Sequence, residues 1–356
     1  MARFPTTLLT LFSSVLLFGQ AADTTRIVFI GDVMAHTLQL NTALISECDS
    51  SLSDSYDFGT YFKYLQPQFD SADFVVANME FPCGVTPFSG YPAFSAPYSL
   101  PIEAKKSGID LFLTANNHIC DKGIEGLDST YNFYSSLGVN FTGLYKSEED
   151  ERKNNPLILT INDISVAFVN FTYGVNGVGR NIPEPYKVNL MDTLHVKEVI
   201  GRAKERGAEL VVALPHWGEE YYLDYSQTQN EWRDFLYACG ADVIIGTHPH
   251  VVQKTEYDGL HAIAYSLGNF ISNMSIVYGQ IGMVYEMRLI REEDNTISIL
   301  PPHIRYVWCA RGGKLEENYT VIPILDFIEK KDAFMVDAEY RKMKREWDAI
   351  VKKFKL

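Results

Sequence analysis

Six short apolar runs in this chain each stop at a cluster of His, Asp, Glu or Asn. They are RIVFIGD at Arg26–Asp32, DFVVANME at Asp73–Glu80, DLFLTANNH at Asp110–His118, ELVVALPHWGE at Glu209–Glu219, DVIIGTHPH at Asp242–His250 and HAIAYSLGNF at His261–Phe270. Continuous apolar runs of this length, rich in β-branched residues, read as parallel strands buried on both faces. Open α/β sheets carry their chemistry beyond the carboxyl ends of such strands. Residues far apart in the sequence are therefore expected along one sheet edge, and the residue types there are those that ligate metals.

The segments between the runs have helical start and stop signals. Ser99 with Pro101 opens one helix as its cap and Gly108 stops it; Gly123–Leu137 ends at Gly138; Met191–Arg206 ends at Gly207. Ser226–Gln229 has the pattern of a capping box, opening a helix that runs to Cys239 before Gly240. Strand and helix thus alternate from Arg26 to about Ser272, which predicts an α/β layered sandwich. Pro156–Ile161 and Asn162–Phe171 read as a hairpin in a second sheet, and Gly174–Pro185 as a loop near the site. Tyr278–Leu289 and Thr296–Val307 read as antiparallel strands about a turn at Glu292–Asn295, and Leu325–Leu356 as a closing helix. The expected division is 1–22 as a signal peptide, 23–275 as the principal domain and 276–356 as a C-terminal β/helical extension.

The signal-peptide reading rests on Arg3, the apolar stretch Leu8–Phe18 and the small residues around Gln20, with cleavage near Ala21 or Ala22. It predicts an exported protein at the cell surface, in the periplasm or outside the cell, with membrane attachment only through an uncleaved anchor. The whole chain carries a formal charge of −14, and Arg3 is the one charged residue in 1–22, so the remainder carries −15. That excludes nucleic-acid phosphates as partners and repels acidic polymers unless a bound cation intervenes. Five widely spaced cysteines fit neither a disulfide scaffold nor a zinc ribbon; they read as core or free thiols, with room for one disulfide.

In His248-Pro249-His250 the proline favours extended geometry for His248. Residues two apart in an extended chain face the same way, so both imidazoles are expected on one side. Asn78 and Glu80 share that spacing. Asp32, Asn116, Asn117, His118 and His216 end other strands. Carboxylate, imidazole and amide oxygen together suit manganese, zinc or iron, and Glu80 can bridge two ions about 3.5–4 Å apart. His118 can protonate a leaving group. Trp217, Glu219 and Glu220 follow His216 and are expected to line the pocket, Glu219 either as the carboxylate partner of a ligand or as a solvated carboxylate. Asn269 sits in a glycine turn near the same edge. Asp121 reads as the cap of the next helix, with orientation of His118 the alternative. His36, His195, His261 and His303 read as structural.

These residues resemble the capsule-synthesis CapA family, also called the poly-γ-glutamate synthesis protein family. The matching pieces are GDVM at Gly31–Met34, NMEFP at Asn78–Pro82, ANNH at Ala115–His118, PHWGEEY at Pro215–Tyr221, GTHPHVVQ at Gly246–Gln253 and YSLGNF at Tyr265–Phe270. The resemblance implies a calcineurin-like metallophosphoesterase fold, a four-layer sandwich of two mixed sheets flanked by helices. It also implies a dinuclear centre, with Asp32, Glu80 and His250 at one metal position and Glu80, Asn117, His216 and His248 at the other. His118 and Asp32 would be the catalytic pair. This chain departs from the phosphoesterase pattern at Met34, where those enzymes carry histidine. A thioether is a poor ligand for such dications, so one or two ions are expected, with the Met34 side the vacant one. His36 compensates only if its loop turns back. The resemblance implies a role in assembling or exporting a cell-surface polymer, with that polymer or its synthesis machinery as partner. A metal-dependent hydrolase of a phosphoester or γ-glutamyl amide is the alternative, and a degenerate binding module the third reading.

Overall fold

The computed structural model describes residues 24–176, 182–312, 315–331 and 336–356. The signal-peptide reading at 1–22 lies outside them, as does part of the predicted loop at 174–185. The first half runs β1 (Thr25–Val33), α1 (Thr37–Ala43), α2 (Gln66–Asp70), β2 (Phe74–Met79), α3 (Ser99–Lys106), β3 (Leu111–Leu113), α4 (Gly123–Leu137) and β4 (Asn140–Thr142). There follow β5 (Leu144–Tyr145), α5 (Glu148–Asn154), β6 (Leu157–Ile161), β7 (Ile164–Thr172), β8 (Lys187–Val188), α6 (Thr193–Glu205), β9 (Leu210–His216), α7 (Gln227–Cys239), β10 (Val243–Ile245), β11 (Thr255–Tyr257) and β12 (Ala262–Ala264). The chain then returns through β13 (Asn269–Ile271), β14 (Ile281–Arg291), β15 (Ile297–Ala310), β16 (Thr320–Pro323), α8 (Ile324–Phe327) and α9 (Asp337–Phe354).

The strands make two mixed sheets and a separate two-stranded antiparallel ribbon, β5-β8. One mixed sheet has the order β16-β15-β14-β1-β2-β3-β4, with β13 also pairing β1; the other has the order β11-β12-β10-β9-β7-β6. Alternation along each buried strand sorts side chains into layers. Ile27 and Phe29 of β1 face an inner layer with Val166 and Phe168 of β7 and Val212 and Leu214 of β9. Val28 and Ile30 face outward onto Leu100, Ala104 and Tyr134 of α3 and α4. On the other sheet Ala167, Val169 and Phe171 face outward onto Val199, Ile200 and Leu236 of α6 and α7. The result is the expected four layers, helices on sheet on sheet on helices. Phe74 and Phe168 stack across the inner layer with ring centres 5.7 Å apart. Each such side chain contributes ~1.5–3 kcal/mol over leaving it exposed, so the inner layer fixes how the sheets sit on each other. Helix α9 closes one margin of it with Met343, Trp347 and Ile350.

The acidic residues that open the runs pin neighbouring strands. Asp73 accepts the Arg26 amide at 2.7 Å, Asp110 the Val75 amide at 2.9 Å, Glu209 the Ser165 amide at 2.9 Å and Asp242 the Val211 amide at 2.7 Å. Each satisfies an N–H at the start of an adjacent strand. With the amino ends tied in this way, the carboxyl ends of β1, β2, β3, β9 and β10 emerge at one edge.

Local signals fare unevenly. Ser226 and Gln229 form the reciprocal capping box, and Gly138 and Gly240 are left-handed terminators. Ser99, by contrast, caps nothing: it is the first helical residue, with Tyr98 before it already in helical geometry. The Tyr98 amide is taken by the Ser53 hydroxyl at 2.9 Å, a partner from a distant loop that removes the need for a local cap. The five cysteines are all unpaired. Among the described residues no helix is long and apolar enough to cross a membrane.

Candidate metal centre

Asp32 is the next-to-last residue of β1, and its neighbours in the sheet are Asn78 of β2 and Asn269 of β13. The backbones close tightly there. The Asp32 amide donates to the Gly268 carbonyl at 3.0 Å, and a Cβ on Gly31 would run into that same carbonyl. Only glycine lets β1 and the turn before β13 approach this closely, and the approach places Asn269 beside Asp32.

After β3 the chain turns on Asn116. Its carboxamide oxygen accepts the His118 amide at 3.2 Å, and its NH2 donates to the Met79 carbonyl at 2.9 Å. Asn170 of β7 supports this turn from the other sheet: its oxygen accepts the Thr114 and Ala115 amides, and its NH2 donates to Leu214. Nothing in its local sequence signalled that role.

The ligand-type side chains meet. Asn78 donates to Asp32 Oδ1 at 2.8 Å and lies 3.4 Å from Glu80 Oε2. His216 Nε2 is 2.8 Å from Asn117 Oδ1 and 3.6 Å from Glu80 Oε1. His250 Nε2 is 3.8 Å from Glu80 Oε1. Two sets have their donor atoms within 4.8 Å of one another, Asp32–Glu80–His250 and Glu80–His216–His248, and Glu80 belongs to both. A third set joins Glu220 to His248 and His250.

Tautomers follow from the partners. Asn269 donates to the His250 carbonyl at 3.1 Å and to the Gly279 carbonyl at 2.9 Å, so its oxygen is the atom that faces the ring. His250 Nδ1 meets that oxygen and Asp32 Oδ2, each at 3.1 Å. Both accept, so Nδ1 holds the proton and Nε2 the lone pair. Of ten buried side-chain polar atoms without a hydrogen-bond partner among the described residues, Glu80 Oε1, His248 Nδ1 and His250 Nε2 lie together here, with His36 Nε2 on a residue of the adjoining cavity wall. Buried polar atoms are rarely left so. Separations of 3.6–3.8 Å are too long for hydrogen bonds. They are close to the spacing of about 3.3–3.6 Å between two donors that each sit about 2.0–2.2 Å from one ion. The donor set thus fits a divalent cation.

Electrostatics agree. Burial, with Asp32 and then Glu220 nearby, pushes the Glu80 carboxyl well above its ordinary range. Burial, with adjacent imidazoles, holds His216 and His248 well below theirs, in the neutral form that ligates. His118 is placed differently. Its Nδ1 donates to Asp121 Oδ2 at 2.7 Å, and the same oxygen accepts the Phe94 amide at 2.8 Å. Asp121 therefore orients His118, while α4 begins after Lys122 with no side-chain cap.

Several expectations change. His248 and His250 are not extended: their φ values are +99° and +58°. The rings converge, 5.8 Å apart, because the loop leaves the strand geometry. Trp217 does not line the pocket; it is fully buried in the outer layer, its Nε1 donating to the Tyr265 carbonyl. Glu219 is exposed, and Glu220 instead approaches His250 Nε2 at 3.8 Å. Asn78, Asn116 and Asn269 lie behind the ligands as supports. Met34 is packed in the outer core with its sulfur 3.5 Å from the Ser272 hydroxyl.

In front of the ligands lies a cavity of about 670 Å³, lined among others by His36, Tyr91, Asn117, His118, Tyr173, Asn176, Glu220 and Tyr221. His36 lines the cavity but joins none of the donor sets, so it does not replace the missing histidine: it packs edge-on against Phe94, which packs edge-on against His118. Burial and the nearby imidazoles of His250 and His118 bring its pKa down to about 4. His195, His261 and His303 pair with Glu151, Asp258 and Glu286 elsewhere.

Fold and site together define an α/β sandwich with a candidate metal centre at the strand-end edge. The chain belongs to the family described as bacterial capsule synthesis protein PGA_cap, whose model matches residues 26–274. It is 29% identical over 220 residues to the capsule biosynthesis protein CapA of Bacillus anthracis, covering 59% of this chain and 53% of that one. It is also 29% identical over 255 residues to the PGA biosynthesis protein CapA of Bacillus subtilis (strain 168), covering 68% and 62%. The match thus spans less than two thirds of either relative's length. Among solved structures it is similar to the calcineurin-like phosphoesterase YfkN from Bacillus subtilis, with 14% identity, TM-score 0.47 and coverage of 94% and 99%. It is also similar to the Haemophilus influenzae NAD nucleotidase NadN, with 12% identity, TM-score 0.49 and coverage of 94% and 68%.

Proposed function

We propose that this chain serves the synthesis or export of a capsule or poly-γ-glutamate-type surface polymer, and that it does so through a divalent-metal centre. The observation that carries the metal reading is the trio of buried, unpartnered donors, Glu80 Oε1, His248 Nδ1 and His250 Nε2. Asp32, Glu80 and His250 would hold one ion, and Glu80, Asn117, His216 and His248 the other, with the first position the poorer in donors. When bound, manganese, zinc or iron supplies Lewis-acid polarisation of a substrate oxygen. The segment 1–22 would direct export, with cleavage near Ala21 or Ala22.

A second reading, metal-dependent hydrolysis of a phosphoester or of a γ-glutamyl or other surface amide, is favoured by the His118–Asp121 pair. With Nδ1–H given to Asp121, His118 presents Nε2 toward the cavity, 3.5 Å from the Asn176 side chain. A histidine oriented by a carboxylate can hold a proton at Nε2 and release it to a leaving group. No lysine or arginine is among the described residues lining the cavity, so an anionic substrate must have its charge met by bound cations.

Metal analysis of the purified mature chain, beside His216→Ala and His248→Ala, tests the centre. Stoichiometric transition metal in the first and none in the others supports it; none in any preparation after loading removes it. His118→Ala then separates the readings. Loss of turnover on a phosphoester or γ-glutamyl amide panel with metal retained favours hydrolysis. A silent His118→Ala, with polymer attachment or export abolished by His248→Ala, favours the assembly role.

A further inference from the structure

We propose that Glu220 is a metal ligand, supplying from the cavity side the donor that Met34 cannot. This rests on the metal reading above. His250 Nε2 is buried, unpartnered and flanked by two carboxylate oxygens, Glu80 Oε1 and Glu220 Oε1, each 3.8 Å away. The first separation belongs to a set of donors around a common ion, and the second is the same. Glu220 also falls within 4.8 Å of both His248 and His250 through single donor atoms. Glu80 is fully buried, whereas the Glu220 side chain is 38% exposed and lines the cavity. Glu220 thus reaches the histidine pair from the solvent side.

The backbone holds it there. Trp217 anchors one end of the segment in the core through its bond to Tyr265. At the other end the Tyr221 amide donates to the Pro249 carbonyl at 2.8 Å, and the Tyr221 ring stacks over His250 at 6.2 Å. The segment carrying Glu220 is therefore tied to the loop that carries both histidines. Its neighbour Glu219 faces solvent.

Met34 has no route to the centre, because its side chain is enclosed in the outer core. The position built on Asp32, Glu80 and His250 has three protein donors, and Glu220 adjoins it through the shared His250, in a set with His248 and His250. Charge balance favours the same assignment when two dications bind: ionised Asp32 and Glu80 alone leave +2, and Glu220 lowers that to +1. As the half-exposed member of the set, Glu220 is the ligand an incoming substrate anion can displace.

The test is binding, not turnover. Wild type, Glu220→Ala, Glu220→Gln and Glu219→Gln are titrated with Mn2+ by calorimetry, and their retained metal is counted after desalting. The expected result is at least a tenfold weakening of the weaker class of site in both Glu220 variants, with the tighter class kept and Glu219→Gln unchanged. Because Glu220 is half-exposed, metal-free melting temperatures should match wild type; if Glu220→Ala misfolds, the isosteric Glu220→Gln decides. Affinities within twofold of wild type for every class would overturn the assignment and leave the metal centre standing. Absence of binding in wild type would instead remove the centre itself.

Discussion

The two ends of the same strands both carry carboxylates, half-buried or exposed at the amino ends and fully buried at the carboxyl ends, and they differ in what those carboxylates meet. At the amino ends Asp73, Asp110, Glu209 and Asp242 each accept a backbone amide from the neighbouring strand. At the carboxyl ends Asp32 and Glu80 lie side by side, Glu80 Oε1 has no partner, and two facing imidazoles have unpartnered nitrogens. Residue type is the same in both places; satisfaction is not. A satisfied carboxylate holds a sheet in register, whereas a sealed, unsatisfied one calls for a cation. Composition cannot separate the two uses, and a hydrogen-bond inventory can.

The sharpest break in this comparison comes from the carboxyl end. His216→Ala or His248→Ala removes a buried donor and should cost more metal affinity than the roughly 100-fold associated with losing a supporting contact; metal counting after desalting measures it. Next, His118→Ala should retain metal yet lower any hydrolytic rate by about 10²–10⁴, the range for loss of a general acid. A parallel fall in metal content would instead make His118 a ligand. Thr247→Val removes the hydroxyl 2.9 Å from His216 Nδ1 and should weaken metal binding by about 10–100-fold, read by Mn2+ titration.

The amino end should behave in the opposite way. Asp242→Ala leaves the Val211 amide without its partner and should cost ~1–3 kcal/mol in denaturant unfolding, with metal affinity unchanged. A metal loss equal to that of His216→Ala would erase the distinction between the ends.

The smallest effect is in pH. The Glu80 pKa is raised in the metal-free fold, so the folded state binds the extra proton. Its contribution to stability is full below the ordinary carboxylate range and is lost as pH rises through the raised value. Glu209, lowered by Arg291 and the Ser165 amide, has the reverse sign, its contribution being lost as pH falls. Melting of the metal-free chain should therefore decline with rising pH and metal should restore it, while Glu80→Gln should flatten the decline. An unchanged slope in Glu80→Gln would assign the effect to other groups.

Much of the site was legible because strands that are buried on both faces write continuous apolar runs, and the polar residue that ends a run stands out against them. Asp32, Glu80, Asn117, His118, His216, His248 and His250 were singled out in that way as candidates that would gather at one edge, and the layered α/β architecture was read from the same runs. The rest was hidden for one reason. Side-chain direction can be read from a period of two only while the chain stays in the pleat, and the site begins where the pleat ends. Met34, two residues past Asp32, packs into the outer core instead of facing the centre. His248 and His250 converge through positive φ. Glu220 faces His250 although Glu219 and Glu220 are alike in sequence. Asp121 serves His118 because Phe94, 27 residues earlier, brings an amide to the same oxygen.

The sequence by itself determined which chemical groups arrive at the edge and the order in which the strands deliver them. Tertiary structure decided which of those groups face one another and which are left unsatisfied. Arrival is set by hydrophobic periodicity, a local property of each strand. Facing is set by loop backbones that bend only against neighbours from the other sheet, and those neighbours are distant in the sequence.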